Sequence, residues 1–571
     1  MTRSLFLAIA LTLTLAAAPH GAPLPPGGIG HVTVPRAPDG AGSAGVPRGL
    51  MTRPPASAFA TRATPFSQRF AWPLGRQLHD GLLIVNYVDL DPTSGVLDYA
   101  GGMATYNGHA GTDNALYSFR MMDRGTEILA AANGTVAYIG GPSPYDRHCD
   151  FNWPDDGNWI WIDAGDGSYH EYYHLRASSM TVKLGDVVHT GELLGLIGSS
   201  GYSTVPHMHF EAGDYSGPGN TYVSRDPYHG VDNALSSLWI SQPDYEGDDP
   251  FWILDMGVFT ETQVGGDVAN TSYCDMLGPI PQPLVYGIGE NKLCMWFEYQ
   301  SGCCDTATIV VRKPDNSVYG NFDYVIGAAD RFDWFWAWFY LAPYNTPADE
   351  GTWTLQVTTK AGALLAQRSF TVGASTQYPS RFWPRAGRSF LLDGATVLHD
   401  TLRTYPLGPP VTYSLIGTPS GVTLQDSILS IAPTSTQPTR SSFFQVAMTD
   451  GGAHRDTAFY HVVDMTKPLD PLLAVPTTAP QRALSLAASP QPSRGAVALA
   501  FALPAGGAAT LAVHDLSGRR VRTLLRATLA AGDHLERWDG RDEAGRAVPA
   551  GLYFARLVTP AGTVTRTIVR I

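Results

Sequence analysis

The chain has 571 residues, 44% of them apolar and only 16% charged, with 60 glycines and 43 prolines. That length exceeds one hydrophobic core and calls for three or four domains, and the composition fits turn-rich β domains while excluding a disordered or coiled-coil chain. A net charge of -13 argues against a nucleic-acid partner, because phosphate binding along a duplex needs a basic surface.

In chain order, residues 1–22 read as a secretory signal peptide. Arg3 gives a positive start, and Leu5 to Ala18 form an apolar run ending in alanines, too short to span a membrane comfortably. No later stretch is apolar enough for a transmembrane helix, so the expectation is an exported chain with no stable membrane span once the signal is removed. Residues 23–65 are rich in Ala, Pro and Gly without periodicity and read as a linker or short pro-segment. From 66 to 235, short runs between glycines (GTEILAAANGTVAYIG, NWIWIDAG, SYHEYYHL, GELLGLIGSSG) predict a compact antiparallel sheet or barrel. Residues 240–375 form an aromatic-rich β-sandwich. Within it Trp334, Trp336 and Trp338 fall on one face of a strand and Phe335 and Phe339 on the other. A strand buried on both faces is the expected reading, with a sugar-stacking platform as the alternative. Residues 376–466 alternate in the manner of sandwich strands and resemble the immunoglobulin- and cadherin-like spacers of bacterial surface proteins. A Pro-rich linker follows at 467–482, then a last unit at 483–571. The fold class is all-β: a barrel-like domain followed by two or three Ig-like sandwiches.

The five cysteines are Cys149, Cys274, Cys294, Cys303 and Cys304. An exported protein can oxidise them. The four in the middle region allow three pairings, and a bond between the adjacent Cys303 and Cys304 would be strained. No C-x-x-C occurs, which disfavours a cysteine zinc site.

Chemistry concentrates in four places: Gly108-His109-Ala110-Gly111-Thr112-Asp113, Tyr172-Tyr173-His174-Leu175, the Gly-punctuated stretch from Lys183 to Gly198, and Pro206-His207-Met208-His209-Phe210-Glu211. His207 and His209 are two apart, so a strand presents both to one face. His109 and Asp113 are four apart in a glycine-containing segment, where a kinked or bulged strand end can aim both at one point. Neutral imidazoles and a carboxylate are ordinary zinc ligands, and three protein ligands leave a fourth position for water. Each piece alone is a short motif with an ordinary structural reading: a turn for Asp113, or one surface and one core histidine for His207 and His209. Their combination carries the argument.

The order H-x-x-x-D, Y-x-H-L or a close variant, Gly-punctuated strands, then H-x-H resembles the lysostaphin-like or LytM-type M23 family of zinc metallopeptidases, over about Phe70 to Ala212. The resemblance implies His109, Asp113 and His209 as zinc ligands and His174 and His207 as the non-ligand catalytic pair. It further implies a peptide of bacterial peptidoglycan as substrate and a zinc-activated water, with His207 as general base and His174 steadying the oxyanion. One departure stands out: the stretch Pro142 to Asn158, holding His148 and Cys149, is longer than usual and reads as a loop beside the cleft. His170 shares a strand face with His174 and is the alternative for its role, although the Leu175 that follows favours His174.

In the last unit, Asp515-Leu516-Ser517-Gly518-Arg519, Trp538-Asp539-Gly540-Arg541 and Pro549-Ala550-Gly551-Leu552-Tyr553 resemble the flagellar hook-capping Ig-like domains and the sorting domains that end secreted bacterial proteins. This implies secretion or surface-anchoring machinery as a partner and a secreted, cell-surface or periplasmic location. Two other functions fit the same layout: a silent wall-binding or amidase-activating module, and a multi-domain surface adhesin.

Overall fold

The computed structural model describes residues 29–33, 66–148, 156–218, 220–247, 252–260, 283–287, 293–301, 306–325, 333–341, 349–377, 380–382, 387–405, 410–437, 439–451, 455–469, 485–489, 497–503, 506–515, 519–529, 532–546, 548–549, 551–560 and 562–570. The signal segment, Cys149, Cys274, Cys303, Cys304, most of the Pro-rich linker and the side chains of Asp333–Leu341 lie outside them, as does the side chain of Cys294. The question of a sugar-stacking platform therefore falls outside them too.

The architecture is all-β, in two compact units, 1–471 and 472–571. The first holds three separate hydrophobic cores and the second holds one. One strand arises where the sequence shows no periodicity: β1 (Ile29–Thr33) pairs antiparallel with Asp333–Leu341. Backbone hydrogen bonding along an open sheet edge needs no side-chain alternation, so such a strand leaves no pattern to read. Among the described residues, no helix is long and apolar enough to cross a membrane.

The domain that positions the site begins near residue 66. Its strands are β2 (Leu82–Asn86), β3 (Thr112–Leu116), β4 (Glu127–Leu129), β5 (Gly134–Gly140), β6 (Trp159–Asp163), β7 (Ser168–Tyr173), β8 (Val187–Val188), β9 (Leu193–Leu196), β10 (His207–Gly217) and β11 (Thr221–Arg225), with one short helix, α1 (Phe119–Asp123), after β3. The main sheet runs β2-β3-β10-β7-β6-β5-β8, with β11 beside β10, and β4 pairs with β9 apart from it. The neighbouring strands β3, β10 and β7 are antiparallel. Met208 and Phe210 of β10 and Tyr172 of β7 enter the core with Phe70 and Trp239. By the two-residue strand period, His207, His209 and Glu211 share the opposite face. The segment after β11 folds back over the domain: Glu246 accepts from the Ile84 N–H at 3.1 Å, and its own N–H donates to the Tyr87 hydroxyl at 3.1 Å.

Candidate metal centre

The register of β3 against β10 sets Asp113 directly opposite His209, so one cross-strand pair brings a carboxylate and an imidazole together on one face. His109 lies in the loop before β3, entered through Gly108 at φ 81°. Its Nδ1 sits 2.6 Å from the Tyr87 carbonyl. A carbonyl only accepts, so Nδ1 carries the proton and Nε2 presents its lone pair. That Nε2 lies 3.1 Å from His209 Nδ1 and 3.2 Å from Asp113 Oδ1, while His209 Nδ1 lies 2.8 Å from the same oxygen. Asn86 Nδ2 donates to Asp113 Oδ2 at 3.0 Å. Gly111 makes this closure sterically feasible: a Cβ there would stand 2.5 Å from the Phe210 carbonyl oxygen and 2.6 Å from His209 Nε2.

The ligating atoms of His109, Asp113 and His209 all fall within 4.8 Å of one another, and all three residues are buried. Ligands about 2.0–2.2 Å from a tetrahedral zinc stand roughly 3.3–3.6 Å apart. The observed separations expand to that spacing by a few tenths of an ångström, so the donor set fits such an ion in number, type and position.

Two further imidazoles border this point. Nδ1 of His207 lies 2.9 Å from the Val205 carbonyl and 3.2 Å from Ser203 Oγ, and its Nε2 is 3.6 Å from Asp113 Oδ1. Nδ1 of His174 donates to the Ser200 carbonyl at 2.8 Å, and the two ring centroids are 4.4 Å apart. Nε2 of both rings is buried without a hydrogen-bond partner. His174 follows the last residue of β7 with φ 64°, so it has left the alternation of that strand. His170, still within β7, stays in the core against Phe70, with Nδ1 2.8 Å from the Tyr172 hydroxyl. The strand-face argument that paired His170 with His174 fails at that left-handed residue. His148 packs on Tyr145 and is not part of the metal-ligating group.

The electrostatics match the geometry. Burial raises Asp113, but His109, His207 and His209 override it and hold the carboxyl well below its usual range. Burial lowers His209, yet the Asp113 and Glu211 carboxylates win and lift it to about 9; a metal cation at this point meets the same negative field. Burial keeps His207 below the ordinary imidazole value. Burial and then His207 push His174 well below it.

Sequence reasoning gave no role to the residues around this set, although Glu211 and Tyr173 lie inside the quoted motifs. Glu211 Oε2 is 3.7 Å from His209 Nε2, and Glu211 stands opposite Glu171 of β7. The Tyr173 hydroxyl donates to Glu171 at 2.6 Å, the Tyr222 hydroxyl donates to the other Glu171 oxygen, and Ser224 donates to Glu211. The period-two pattern of β10 already put Glu211 on the face of His209 and was the available signal. The Tyr87 carbonyl had none, since a backbone acceptor leaves no residue signature.

In this compact antiparallel β domain two imidazoles and a carboxylate gather at one point, bordered by two further imidazoles, the arrangement of a catalytic metal site with an open position. Residues 108–220 match the family model of Peptidase family M23, so this chain carries an M23 peptidase domain; residues 488–560 match the FlgD Ig-like domain. The chain is 33% identical over 108 residues to the glycyl-glycine endopeptidase ALE-1 of Staphylococcus capitis, covering 19% of this chain and 26% of that protein. It is 33% identical over 140 residues to the DD-carboxypeptidase/endopeptidase Mpg of Neisseria meningitidis, covering 24% and 26%. The catalytic domain of lysostaphin from Staphylococcus simulans is a structural match at 30% identity and TM-score 0.17, covering 25% of this chain and 85% of that one. The chain thus spans about a quarter of the length of these two curated relatives.

Proposed function

We propose that this protein is an exported zinc endopeptidase that cuts the cross-links or stem peptides of bacterial peptidoglycan, with His109, Asp113 and His209 as zinc ligands. One observation carries the reading: His109 Nε2, Asp113 Oδ1 and His209 Nδ1 converge beside two buried imidazole nitrogens, within the matched segment 108–220. The activities named for the relatives, a glycyl-glycine endopeptidase and a DD-carboxypeptidase/endopeptidase, support this substrate class.

Zinc, when bound, supplies Lewis acidity to the scissile carbonyl and acidity to water. The chain's own groups do the proton work. His207 and His174 each have Nδ1 committed to a carbonyl, so in the neutral state both Nε2 atoms are proton acceptors. His207 takes the proton of the attacking water at Nε2 and returns it to the leaving amine. With its Nδ1 proton held by the Ser200 carbonyl and its imidazolium disfavoured by burial and by His207, neutral His174 presents a lone pair at Nε2 and positions the attacking water as an acceptor rather than donating to the oxyanion. The C-terminal Ig-like domain serves export or surface attachment.

Purified protein incubated with peptidoglycan, with and without a chelator, tests this by mass analysis of the products. New amino termini from stem or bridge peptides, lost with chelator and restored by zinc, are expected. Binding to the wall without new termini would favour a silent wall-binding module. Glycan or cell adhesion indifferent to zinc would favour an adhesin.

A further inference from the structure

We propose a second binding site, for a multiply charged phosphate group, in the cleft between helix α1 and the β module that begins near Ser380. The cleft measures about 460 Å³ and is lined by Arg120 and Arg124 from the α1 side and by Arg381, Arg455 and Asp456 from the module. Four guanidinium groups therefore face one carboxylate among the lining residues, with Asp255 acting on Arg120 from outside the cleft, in a chain whose net charge is -13. Among the described residues, none of the four guanidinium groups takes part in a salt bridge or hydrogen bond. Asp456 is already engaged, accepting from the Phe382 N–H at 3.0 Å and from the Thr457 N–H at 2.9 Å.

Gathering unpaired arginines costs energy. Burial first and Arg120 next lower both Arg124 and Arg381 from the ordinary guanidinium value, with Asp456 opposing in each case. A ligand anion offsets that repulsion. Guanidinium forks suit carboxylate and phosphate alike. A single carboxylate, however, neutralises one of four charges, whereas a phosphate monoester brings about two and a phosphodiester chain one per repeat. Arg120 and Arg124 are four apart and flank one helical face, which suits an extended or multivalent anion. Two sources share this chemistry: a soluble phosphate polymer and a phospholipid headgroup surface.

Isothermal titration of the full-length zinc-loaded protein with tripolyphosphate tests the site. One site per chain is expected, weakening steeply with salt. Arg381→Gln should weaken binding about tenfold and Arg120→Gln/Arg381→Gln further, while Arg556→Gln in the C-terminal domain leaves it unchanged. Vesicles of phosphatidylglycerol that bind with the same arginine dependence assign the lipid source; tripolyphosphate binding without vesicle binding assigns the soluble one. Because each substitution removes like-charge repulsion, the unliganded variants should melt at or above the wild-type temperature. Equal affinity in wild type and variants, citrate binding as tightly as tripolyphosphate, or variants that melt well below wild type without ligand would overturn the proposal.

Discussion

His209 shows how much one side chain depends on the groups behind it. Its Nδ1 faces Asp113 and its Nε2 faces Glu211 across 3.7 Å, so a carboxylate stands on each side of the ring. A carboxylate behind a ligating imidazole fixes its orientation and raises its basicity, and losing one typically costs 10–100-fold in metal affinity. Glu211→Gln is therefore expected to weaken zinc binding by about that factor in a chelator competition while the melting curve stays cooperative; an unchanged affinity would mean that Glu211 does not orient His209. Four of the positions stood out because their spacing constrains them in pairs: His207 and His209 on one strand face, and His109 and Asp113 bracketing a glycine, whereas His174 stood out only through the motif that it shares with the family. The supports were less legible. Asn86 and the Tyr87 carbonyl precede the motif by 27 and 22 residues, and nothing local to the sequence links them to it.

Strand register turns these spacings into a site. A slip of one residue between β3 and β10 would send Asp113 to the face opposite His209. The bulky residues on the other face, Met208 and Phe210, resist that slip because their burial depends on the same register. Short strands between glycines were readable from the sequence for this reason. The backbone turn at His174 was not, since non-glycine residues adopt positive φ only where surrounding structure imposes it. Docking between elements was likewise invisible. Arg176, buried, donates to the carbonyls of Met122 and Gly387, and Arg440, also buried, donates to the Thr181 carbonyl at 2.8 Å and to Asp186 at 2.5 Å. The bonds of Arg176 to Gly387 and of Arg440 to Thr181 and Asp186 join the peptidase domain to the module read from sequence as a loosely matched spacer. They cross 211 and 259 residues of chain, and side-chain-to-carbonyl bonds at that range have no periodic trace.

For the first unit as a whole, buried titratable groups set the response to acid. Burial holds both His170 and His461 at about 3, against about 6.5 in an unfolded chain. Between those values the unfolded chain binds protons that the native state does not, so stability falls as pH drops below about 6.5, at about 1.4 kcal/mol per pH unit for each group. Asp226, raised by burial to about 7, acts in the opposite sense and offsets one of the two. The melting temperature of the first unit is thus expected to fall from pH 7 to pH 5, and His170→Gln to flatten that profile; a profile unchanged by the substitution would show that His170 titrates normally.

The account rests on one metal held by three named side chains, and metal content after exhaustive dialysis measures this directly. One zinc per chain is expected in the wild type and in His174→Ala and His207→Ala, with little or none in His109→Ala, Asp113→Ala and His209→Ala. Undiminished zinc in the last three, or its loss from the first two as well, would contradict the ligand assignment.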